Sequence, residues 1–426
     1  MKTATLLSQS LRYAALLSVA VLSACSQQET ATPAAPVPQV EPQTSTAVVY
    51  EGARVIVGDG SAAIENGVVV VDGGIFVAVG PSGVVAVPQG ATRVDLAGAT
   101  VMPMLIDTHV HLSRERDPLI EDLRSRTRFG VSAAMSLGQD EGDAVYQVRA
   151  ENIPGIATYR TAGKGITAPE PGRTEIPHWV TTPEEARAAV QAEAALNVDI
   201  IKIWVDDRDK QFAKLTPELY GAVIDEAHKN NLRVVSHQFT LEDAKGLVNA
   251  GVDAFAHGVR DMDIDDEFMA LVKQHPDLVM GPNLPGRGVA TDVSWLQGQV
   301  AAEQFATLQT QAAAENPQAQ AAYGIQARNL ARMSAEGVKI VLGTDGNTPW
   351  GPHIEMEDMV VAGMSPADVI TAATGNGAAY MRLDDQGTIT QGKRADFIVL
   401  DANPLEDITN TRKIRSVYMQ GTAVTR

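Results

Sequence analysis

Eight short apolar segments alternate with amphipathic helical patterns between residue 104 and about residue 383, and this alternation constrains the fold more than any other feature. Apolar strands separated by helices are typical of βα units, which assemble parallel sheets. The predicted strands cover residues 104–110, 131–136, 154–159, 198–205, 232–237, 252–256, 278–282 and 338–344. Eight such units predict an α/β fold of the (β/α)8 type, the TIM barrel.

The helical patterns between the strands carry start signals. Each of three helices, Pro183–Leu196, Pro217–Asn230 and Leu241–Ala250, follows a threonine placed to accept the first free backbone N–H groups, namely Thr182, Thr216 and Thr240. A longer Ala- and Gln-rich segment, Ser294–Glu336, is also predicted to be helical. It is either structural padding or a lid over the strand ends, and the sequence favours neither.

The chain on either side of the barrel pattern reads as short strands and turns. Residues 47–101 contain β-branched runs with predicted turns at Asp59-Gly60, Asn66-Gly67 and Asp72-Gly73-Gly74. The segment Gly387–Asp401 returns to the same pattern. We therefore predict a barrel domain over residues 104–382. A small β-sandwich module would be built from both ends of the chain, residues 47–103 and 383–426.

The first 46 residues predict export and lipid anchoring. An apolar run from Ala14 to Ala24 follows Lys2 and Arg12 and is too short to cross a bilayer, as expected for a signal peptide. It ends Leu22-Ser-Ala-Cys25, which resembles the lipobox of bacterial lipoproteins, with residues 1–24 removed and Cys25 lipidated. An ordinary secretory signal is the alternative. Ser26 fits sorting to the outer membrane, periplasmic face, and residues 26–46 read as a disordered linker.

Charge and cysteine content exclude several classes of function. The formal net charge of −18 argues against nucleic acid or an anionic membrane surface as a partner, so membrane contact is expected only through the lipid anchor. The single cysteine excludes an internal disulfide and any cysteine-based metal site. Metal ligands must therefore come from His, Asp, Glu or Lys.

Polar side chains that could bind metal follow five of the eight predicted strands. Barrel enzymes place their chemistry at these carboxyl ends. His109 and His111 are two residues apart, so on a strand they share one face and offer half a metal site. The other members are Lys202, His237, His257 and Asp345. Each alone has an ordinary explanation, such as a core histidine or a helix cap. A lysine within an apolar strand is costlier and must be paired, neutral or modified.

These residues lie in motifs that resemble the amidohydrolase superfamily of metal-dependent hydrolases, in the branch of imidazolonepropionases and Xaa-Pro dipeptidases. The motifs are Ile106-Asp-Thr-His-Val-His111, Ala254-Phe-Ala-His257, Leu342-Gly-Thr-Asp345, Thr371-Ala-Ala-Thr-Gly-Asn376 and Gly387-Thr-Ile…Gly392-Lys-Arg-Ala-Asp396. The resemblance implies two divalent ions, with zinc the leading candidate. His109, His111 and Asp345 would bind one, and His237 and His257 the other. Lys202 would carry a CO2-derived carbamate that bridges both.

The implied activity is hydrolysis of an amide C–N bond in a small molecule, such as an N-acyl amino acid or a dipeptide, by metal-activated hydroxide. Asp345 would act as general base and then acid, with Lys202 and His257 completing the catalytic group. A mononuclear deaminase and a cyclic amide or lactone hydrolase of the same superfamily stay open. A non-catalytic binding lipoprotein is a more remote alternative. The segment Lys202–Arg208 departs from the small and glycine residues of many peptidase-like members, which leaves the substrate open.

Further pocket candidates follow other strands. Arg260 is placed to hold a substrate carboxylate, although it could equally be a solvated loop charge. The remaining candidates are Tyr159, Arg160, Asp206, Asp207, Arg208, Asn283 and Arg287. The expected partner is thus a small-molecule substrate, and the oligomeric state, including a homo-oligomer, is left open.

Overall fold

The computed structural model describes residues 45–425 and has a mixed α/β architecture. The predictions for residues 1–24, for Cys25 and for most of the linker concern residues outside this range. The strands are β1 (Val48–Val55), β2 (Ile64–Asp72), β3 (Ile75–Pro81), β4 (Thr92–Asp95), β5 (Thr100–Pro103), β6 (Leu105–Val110), β7 (Val131–Ser136), β8 (Thr158–Thr161), β9 (Ile166–Thr167), β10 (His178–Trp179), β11 (Ile201–Val205), β12 (Val234–Gln238), β13 (Ala254–Phe255), β14 (Val279–Met280), β15 (Lys339–Ile340), β16 (Phe397–Leu400), β17 (Ile414–Met419) and β18 (Thr422–Ala423).

The helices lie mainly between the parallel strands. They are α1 (Arg116–Arg128), α2 (Asp143–Ala150), α3 (Pro183–Ala195), α4 (Pro217–Lys229), α5 (Leu241–Asn249), α6 (Asp266–Gln274), α7 (Ala302–Ala312), α8 (Pro317–Ala335), α9 (Gly351–Val361), α10 (Pro366–Thr371) and α11 (Gly377–Tyr380). Short 3-10 turns cover Ser294–Leu296 and Ile408–Arg412, and a π-helical turn covers Ala372–Asn376. Among residues 45–425, no helix combines the length and the apolar character needed to cross a membrane.

Both ends of the described chain contribute to one sheet. Its strand order is β18-β17-β16-β5-β1-β2-β3, and β4 pairs separately with β1. The link between the two ends is the antiparallel pair of β16 and β5. Tyr50, Phe76 and Phe397 belong to one buried apolar cluster of this sheet, whereas Val49 and Val70 belong to another. The alternation of side chains along each strand explains why one strand supplies both clusters.

The predicted turn at Asn66-Gly67 is wrong, because both residues lie inside β2. Asn66 does adopt a left-handed conformation, with φ of 48°, which is the conformation that suggested a turn. Two register shifts in the facing strand, between Glu51 and Ala53 and between Ala53 and Val55, absorb the irregularity. The strand therefore continues through a bulged region instead of reversing.

The parallel strands form two sheets, with the strand orders β6-β7-β8 and β10-β9-β11-β12-β13-β14-β15. Backbone hydrogen bonds also link these sheets at both edges. The Asp199 N–H donates to the Thr161 carbonyl at 2.9 Å, and the Thr108 N–H donates to the Leu342 carbonyl at 2.9 Å. The last three predicted strands of this series are short, with two paired residues each in β13, β14 and β15.

The predicted helix starts are confirmed. The Thr182 hydroxyl accepts the Glu185 N–H at 3.2 Å and forms a reciprocal capping box at the start of α3. The Thr216 and Thr240 hydroxyls each accept one backbone N–H at the starts of α4 and α5, without the reciprocal contact. Because these caps fix where each helix begins, they also fix the lengths of the loops at the strand ends.

Candidate metal centre and active site

His109 is in β6 and His111 comes just after this strand. Both lie at the carboxyl end of the parallel strands. His109 is 2% exposed, whereas the side chain of His111 is 25% exposed. Their ring centroids lie 5.2 Å apart. One imidazole is thus deep in the site and the other reaches its open side.

Asp345 joins these histidines from the loop after β15. Its Oδ1 lies 2.9 Å from Nε2 of His111 and 3.1 Å from Nε2 of His109, and its Oδ2 lies 3.7 Å from Nε2 of His257. Asp345 has a left-handed backbone, with φ of 53°, a strained conformation for a residue with a side chain. One ligand atom each from His109, His111 and Asp345 lies within 4.8 Å of the others, which is close enough to share a cation.

The predicted ligands from the middle strands converge on the same place. The rings of His237 and His257 lie 4.7 Å apart, and the His257 ring lies 5.2 Å from that of His109. His257 is 1% exposed and Lys202, on β11, is also 1% exposed. The Lys202 amine lies 5.4 Å from the centre of the Trp204 ring. The structure therefore gathers all six candidates in one region.

Burial dominates the acid–base properties of this region. Burial, together with the charge of Lys202, lowers the pKa of His109 to about 3. Burial likewise lowers the pKa of His237 to about 3 and takes that of His257 well below its ordinary value. Burial lowers the pKa of Lys202 to about 7. At neutral pH the three imidazoles are therefore neutral, which is the form that binds metal.

Asp345 stays ionised beside these groups. Burial alone would raise its pKa, but the adjacent imidazoles of His109, His111 and His257 hold the pKa well below the ordinary range of a carboxyl group. The site therefore combines one carboxylate with neutral imidazoles. This is a donor set suited to zinc and other borderline divalent ions.

One unpartnered nitrogen supports a metal ion at this site. Nε2 of His109 is buried and has no hydrogen-bond partner, and it lies 3.1 Å from Oδ1 of Asp345. Buried polar atoms are rarely left without a partner. A lone pair directed at a bound cation would satisfy this nitrogen, so the residues present fit a metal centre.

Asp107 and Arg126 form a supporting layer that the sequence did not reveal. The Asp107 carboxylate is fully buried and accepts the Thr344 hydroxyl at 2.7 Å and the Thr344 N–H at 3.1 Å. Arg126, on α1, donates to the Gly346 carbonyl at 3.2 Å and to the Thr348 carbonyl at 3.3 Å. Asp345 is therefore held through its neighbours on both sides.

Four of the predicted pocket residues lie at the site, and one of them, Arg208, places Nη1 3.2 Å from Nε2 of His237. Asp206 accepts a hydrogen bond from Nε2 of His237 at 2.8 Å. The Asn283 amide lies 2.5 Å from Nδ1 of His109 and so orients that ring. Arg260 is largely buried, and its Nε has no hydrogen-bond partner. Its positive charge contributes to the lowered pKa of His257 and of His237.

The prediction that Tyr159 and Arg160 contact substrate is wrong. The strand was expected to end at Tyr159, but β8 runs from Thr158 to Thr161, so Tyr159 sits within it. Its side chain packs in the apolar layer beneath α1 and α2, and its hydroxyl donates to Asp140 at 2.9 Å. Arg160 instead pairs at 3.4 Å with Asp199, a residue that precedes β11.

The same prediction for Arg287 is also wrong. Its guanidinium makes two ion pairs of 2.8 Å with acidic residues of α9, Glu357 and Asp358. These contacts direct the side chain toward the helix. A free loop arginine and one committed to a helix look alike in sequence, because the partner residues lie about 70 positions away.

The large surface cleft of the described chain is elsewhere. It has a volume of about 1380 Å³, and Arg124, Arg149, Arg394 and Gln420 are among its lining residues. None of the six metal-ligand candidates lines it. Its size therefore says nothing about the chemistry of the strand ends.

Comparisons with known proteins identify the family of the chain. The model of the amidohydrolase family matches residues 127–424. Ochratoxinase from Aspergillus niger is 28% identical over 300 residues, which cover 66% of this chain and 55% of the ochratoxinase. The chain thus spans about half the length of that relative. Imidazolonepropionase from Deinococcus radiodurans is 25% identical over 367 residues, covering 78% of this chain and 86% of that protein.

Solved structures show the same fold. A Xaa-Pro dipeptidase with bound methionine superposes with a TM-score of 0.71 at 24% identity, covering 88% of this chain and 99% of that one. Phenylurea hydrolase B superposes with a TM-score of 0.70 at 22% identity, covering 89% and 97%. The expected superfamily is confirmed: the family model spans well over half of the sequence, and the chain belongs to the amidohydrolase family.

Proposed function

We propose that this protein is a metal-dependent hydrolase that cleaves an amide C–N bond of a small molecule at a two-metal centre. The observation that carries the proposal is that a second pair of imidazoles, His237 and His257, adjoins the group of His109, His111 and Asp345. The rings of this pair lie 4.7 Å apart, and the His257 ring lies 5.2 Å from that of His109. Relatives named imidazolonepropionase and ochratoxinase support an activity of this class. In this proposal the linked parallel strands form the predicted (β/α)8 barrel, whose carboxyl-terminal face carries the site.

The chain offers two sets of ligands. His109, His111 and Asp345 would hold one ion, His237 and His257 would hold the other, and a carbamate on Lys202 would bind both. Zinc suits this mixture of nitrogen and oxygen donors. When bound, the ions supply Lewis acidity, which lowers the pKa of water and polarises a carbonyl group.

Carboxylation of Lys202 is supported by its environment. A buried ammonium group beside two divalent cations would be repelled and would lose its hydration. Burial lowers the pKa of Lys202 to about 7, so much of the amine is neutral at physiological pH. The neutral amine is the form that adds CO2. The product is an anion with two oxygens, whose charge opposes that of the cations.

Asp345 is placed to move the proton. Its Oδ1 contacts His111 while its other oxygen faces His257, so the carboxylate spans both halves of the site. The side chain is 39% exposed, which leaves room for substrate beside it. As an ionised carboxylate it can take a proton from water and deliver it to the leaving amine.

Arg260 is the proposed contact for an acidic group of the substrate. Nε of its guanidinium is buried without a hydrogen-bond partner, and burial lowers the pKa of Arg260. A largely buried guanidinium without a carboxylate partner is costly, and a planar substrate carboxylate could bind it through two parallel hydrogen bonds. N-acyl amino acids and dipeptides carry such a group next to the bond to be cleaved.

A mononuclear hydrolase or deaminase is the second candidate, and one observation favours it. In the described part of the chain, His109, His111 and Asp345 are the group close enough to share an ion without rearrangement. His237 is instead hydrogen-bonded to Asp206 through Nε2. A single ion held by the first group would leave Lys202 unmodified.

Metal counting and a paired substrate panel test the proposal. Protein purified without chelator should contain close to two zinc-like ions per chain. It should hydrolyse members of a panel of N-acyl amino acids, dipeptides, cyclic amides and lactones, and substrates with a free carboxylate should be preferred over their carboxamides. One ion per fully active chain favours the mononuclear candidate. No turnover of any panel member by protein loaded with two metals overturns the proposed activity.

A further inference from the structure

We infer, on the basis of the proposed metal centre, that Asp206 is a positioning residue that turns His237 toward its ion, and that Glu170 and Arg208 hold Asp206 in place. The chain of contacts runs from a buried glutamate in the loop after β9 to an imidazole on β12. Nothing in the ligand set itself requires these three residues. They act through His237 and do not touch the reacting atoms.

The contact between Asp206 and His237 determines which ring nitrogen is available. Oδ2 of Asp206 lies 2.8 Å from Nε2 of His237, and a carboxylate can only accept there. Nη1 of Arg208 also lies 3.2 Å from Nε2, but the shorter contact to the carboxylate assigns the hydrogen to Nε2, and Nδ1 keeps its lone pair. A carboxylate on one ring nitrogen with the metal on the other is the usual way in which proteins orient a histidine ligand.

Arg208 and Glu170 hold the carboxylate in place. The Arg208 guanidinium donates from Nη1 to Oδ2 of Asp206 at 2.7 Å and from Nε to Oε1 of Glu170 at 2.9 Å. Glu170 is 1% exposed. An arginine fixed at both ends in this way leaves the Asp206 carboxylate little freedom to rotate away from the imidazole.

The backbone after Asp206 is strained in a way that serves these contacts. Arg208, Asp209 and Lys210 all have left-handed backbones, with φ values of 53°, 57° and 65°. Residues with side chains visit this region as single residues, so three in a row without a glycine are unusual. Such strain persists where surrounding contacts impose it, and it marks functional segments.

The side chains before this turn stabilise it. Oδ1 of Asp206 accepts the Arg208 N–H at 2.9 Å, and Oδ1 of Asp207 accepts the Lys210 N–H at 3.0 Å. The turn brings the Arg208 side chain back over Asp206, which a continuing helix or extended strand would carry away. The Asp206 carboxylate therefore holds the strained segment with one oxygen and contacts His237 with the other.

Zinc binding to the whole protein tests this inference without relying on turnover. Zinc affinity and stoichiometry would be measured by competition with a chromophoric chelator for wild type, Asp206→Ala, Asp206→Asn and Glu170→Gln. The thermal midpoint of each metal-free protein would report folding. Asp253→Asn is the matched control, because Asp253 pairs with His228 at 2.9 Å in the same chemistry but precedes β13 at the far end of the strands.

Asp206→Ala should weaken the binding of one of the two ions by about 10–100-fold, while the affinity for the other ion stays unchanged. Asp206→Asn should lose less, because its amide oxygen still accepts the imidazole N–H, and Glu170→Gln should lie between wild type and Asp206→Ala. Asp253→Asn should bind both ions normally. Normal affinity for both ions in Asp206→Ala and Glu170→Gln would overturn the positioning role of Asp206 while leaving the two-metal centre intact. A wild-type chain that takes up only one ion would overturn the centre itself and the inference with it.

Discussion

Nε2 of His111 lies 2.9 Å from Oδ1 of Asp345, so a residue just after β6 meets one that is 234 positions further along the chain. This contact joins the first and last of the parallel strands at the metal centre. In the proposed mechanism Asp345 has two roles, as a ligand beside the imidazoles and as the carboxylate that moves the proton.

Asp345→Asn should therefore lower kcat by at least about 10²–10⁴-fold, the range expected for loss of a general acid–base group. The amide keeps the shape of the carboxylate but is a poor base. Steady-state kinetics with parallel metal analysis would check this. Asp401→Asn, which alters an exposed ion pair with Arg415, is the control. Turnover close to wild type in metal-loaded Asp345→Asn would remove Asp345 from the mechanism.

Arg126→Met should reduce both stability and turnover. The arginine is fully buried, and its loss removes hydrogen bonds from a charged donor to the carbonyls of Gly346 and Thr348, each of which keeps one backbone donor. A hydrogen bond from a charged group contributes about 1.5–3 kcal/mol, so we expect the free energy of unfolding to fall by at least about 2 kcal/mol. The loop that carries Asp345 would loosen, and kcat should fall more than KM rises.

Arg124→Met is the control for that change. Arg124 lies on the same helix, but its pair with Glu121 at 3.2 Å is exposed, and exposed pairs contribute about 0–1 kcal/mol. Denaturant unfolding and steady-state kinetics would be compared for the two variants. Equal effects of both substitutions would show that Arg126 does not stabilise the loop that carries Asp345.

The sequence predicted the site best where a candidate metal ligand lies on a strand. His109, Lys202 and His237 lie on strands whose apolar run predicts both the strand and its end, and the structure brings their side chains together. The helix caps Thr182 and Thr216 could also be predicted from the sequence, because a helix start depends on residues within one turn.

Prediction failed where the outcome depends on distant partners. Arg126 is one of four arginines in α1, and only the position of the loop after β15 distinguishes it from the rest. The predicted strand ended at Tyr159, but β8 ends two residues later, so Tyr159 lies within the strand and not at its end. Asp107 lies in the same motif as His109, but its role depends on Thr344, 237 positions away.

The lipid anchor stays a prediction, since Cys25 lies outside the described residues. Because Leu22-Ser-Ala-Cys25 matches a lipobox, Cys25→Ser should release the protein from the membrane fraction or stop its processing. Fractionation and mass spectrometry of the mature N-terminus would check this. A Ser23→Thr variant, which keeps the cysteine, should remain anchored. Unchanged processing and membrane retention of Cys25→Ser would contradict the anchor.

Replacement of Lys202 should abolish the two-metal centre. Lys202→Ala should lose most bound metal and activity, and formate or acetate should partly restore both by supplying a carboxylate in the vacated position. Lys202→Arg should fare no better, because a guanidinium stays cationic and cannot add CO2. Lys229→Ala is the control, since that lysine makes a surface-exposed pair with Asp225 at 2.8 Å. Full metal loading of Lys202→Ala would contradict a bridging role.

The same lysine predicts a pH dependence. Addition of CO2 to the amine gives a carbamate and releases one proton, and it requires the neutral amine. Burial lowers the pKa of Lys202 from 10.5 to about 7, so the neutral fraction rises as the pH rises through about 7. At a fixed concentration of dissolved CO2, carboxylation and zinc uptake by the metal-free protein should therefore increase between about pH 6 and pH 8. Carbon-13 NMR with labelled CO2 would follow the carbamate, and Lys202→Ala would supply the blank. A lysine of ordinary pKa would stay almost fully protonated over that range. A flat profile, or a carbamate signal that survives in Lys202→Ala, would assign the modification elsewhere.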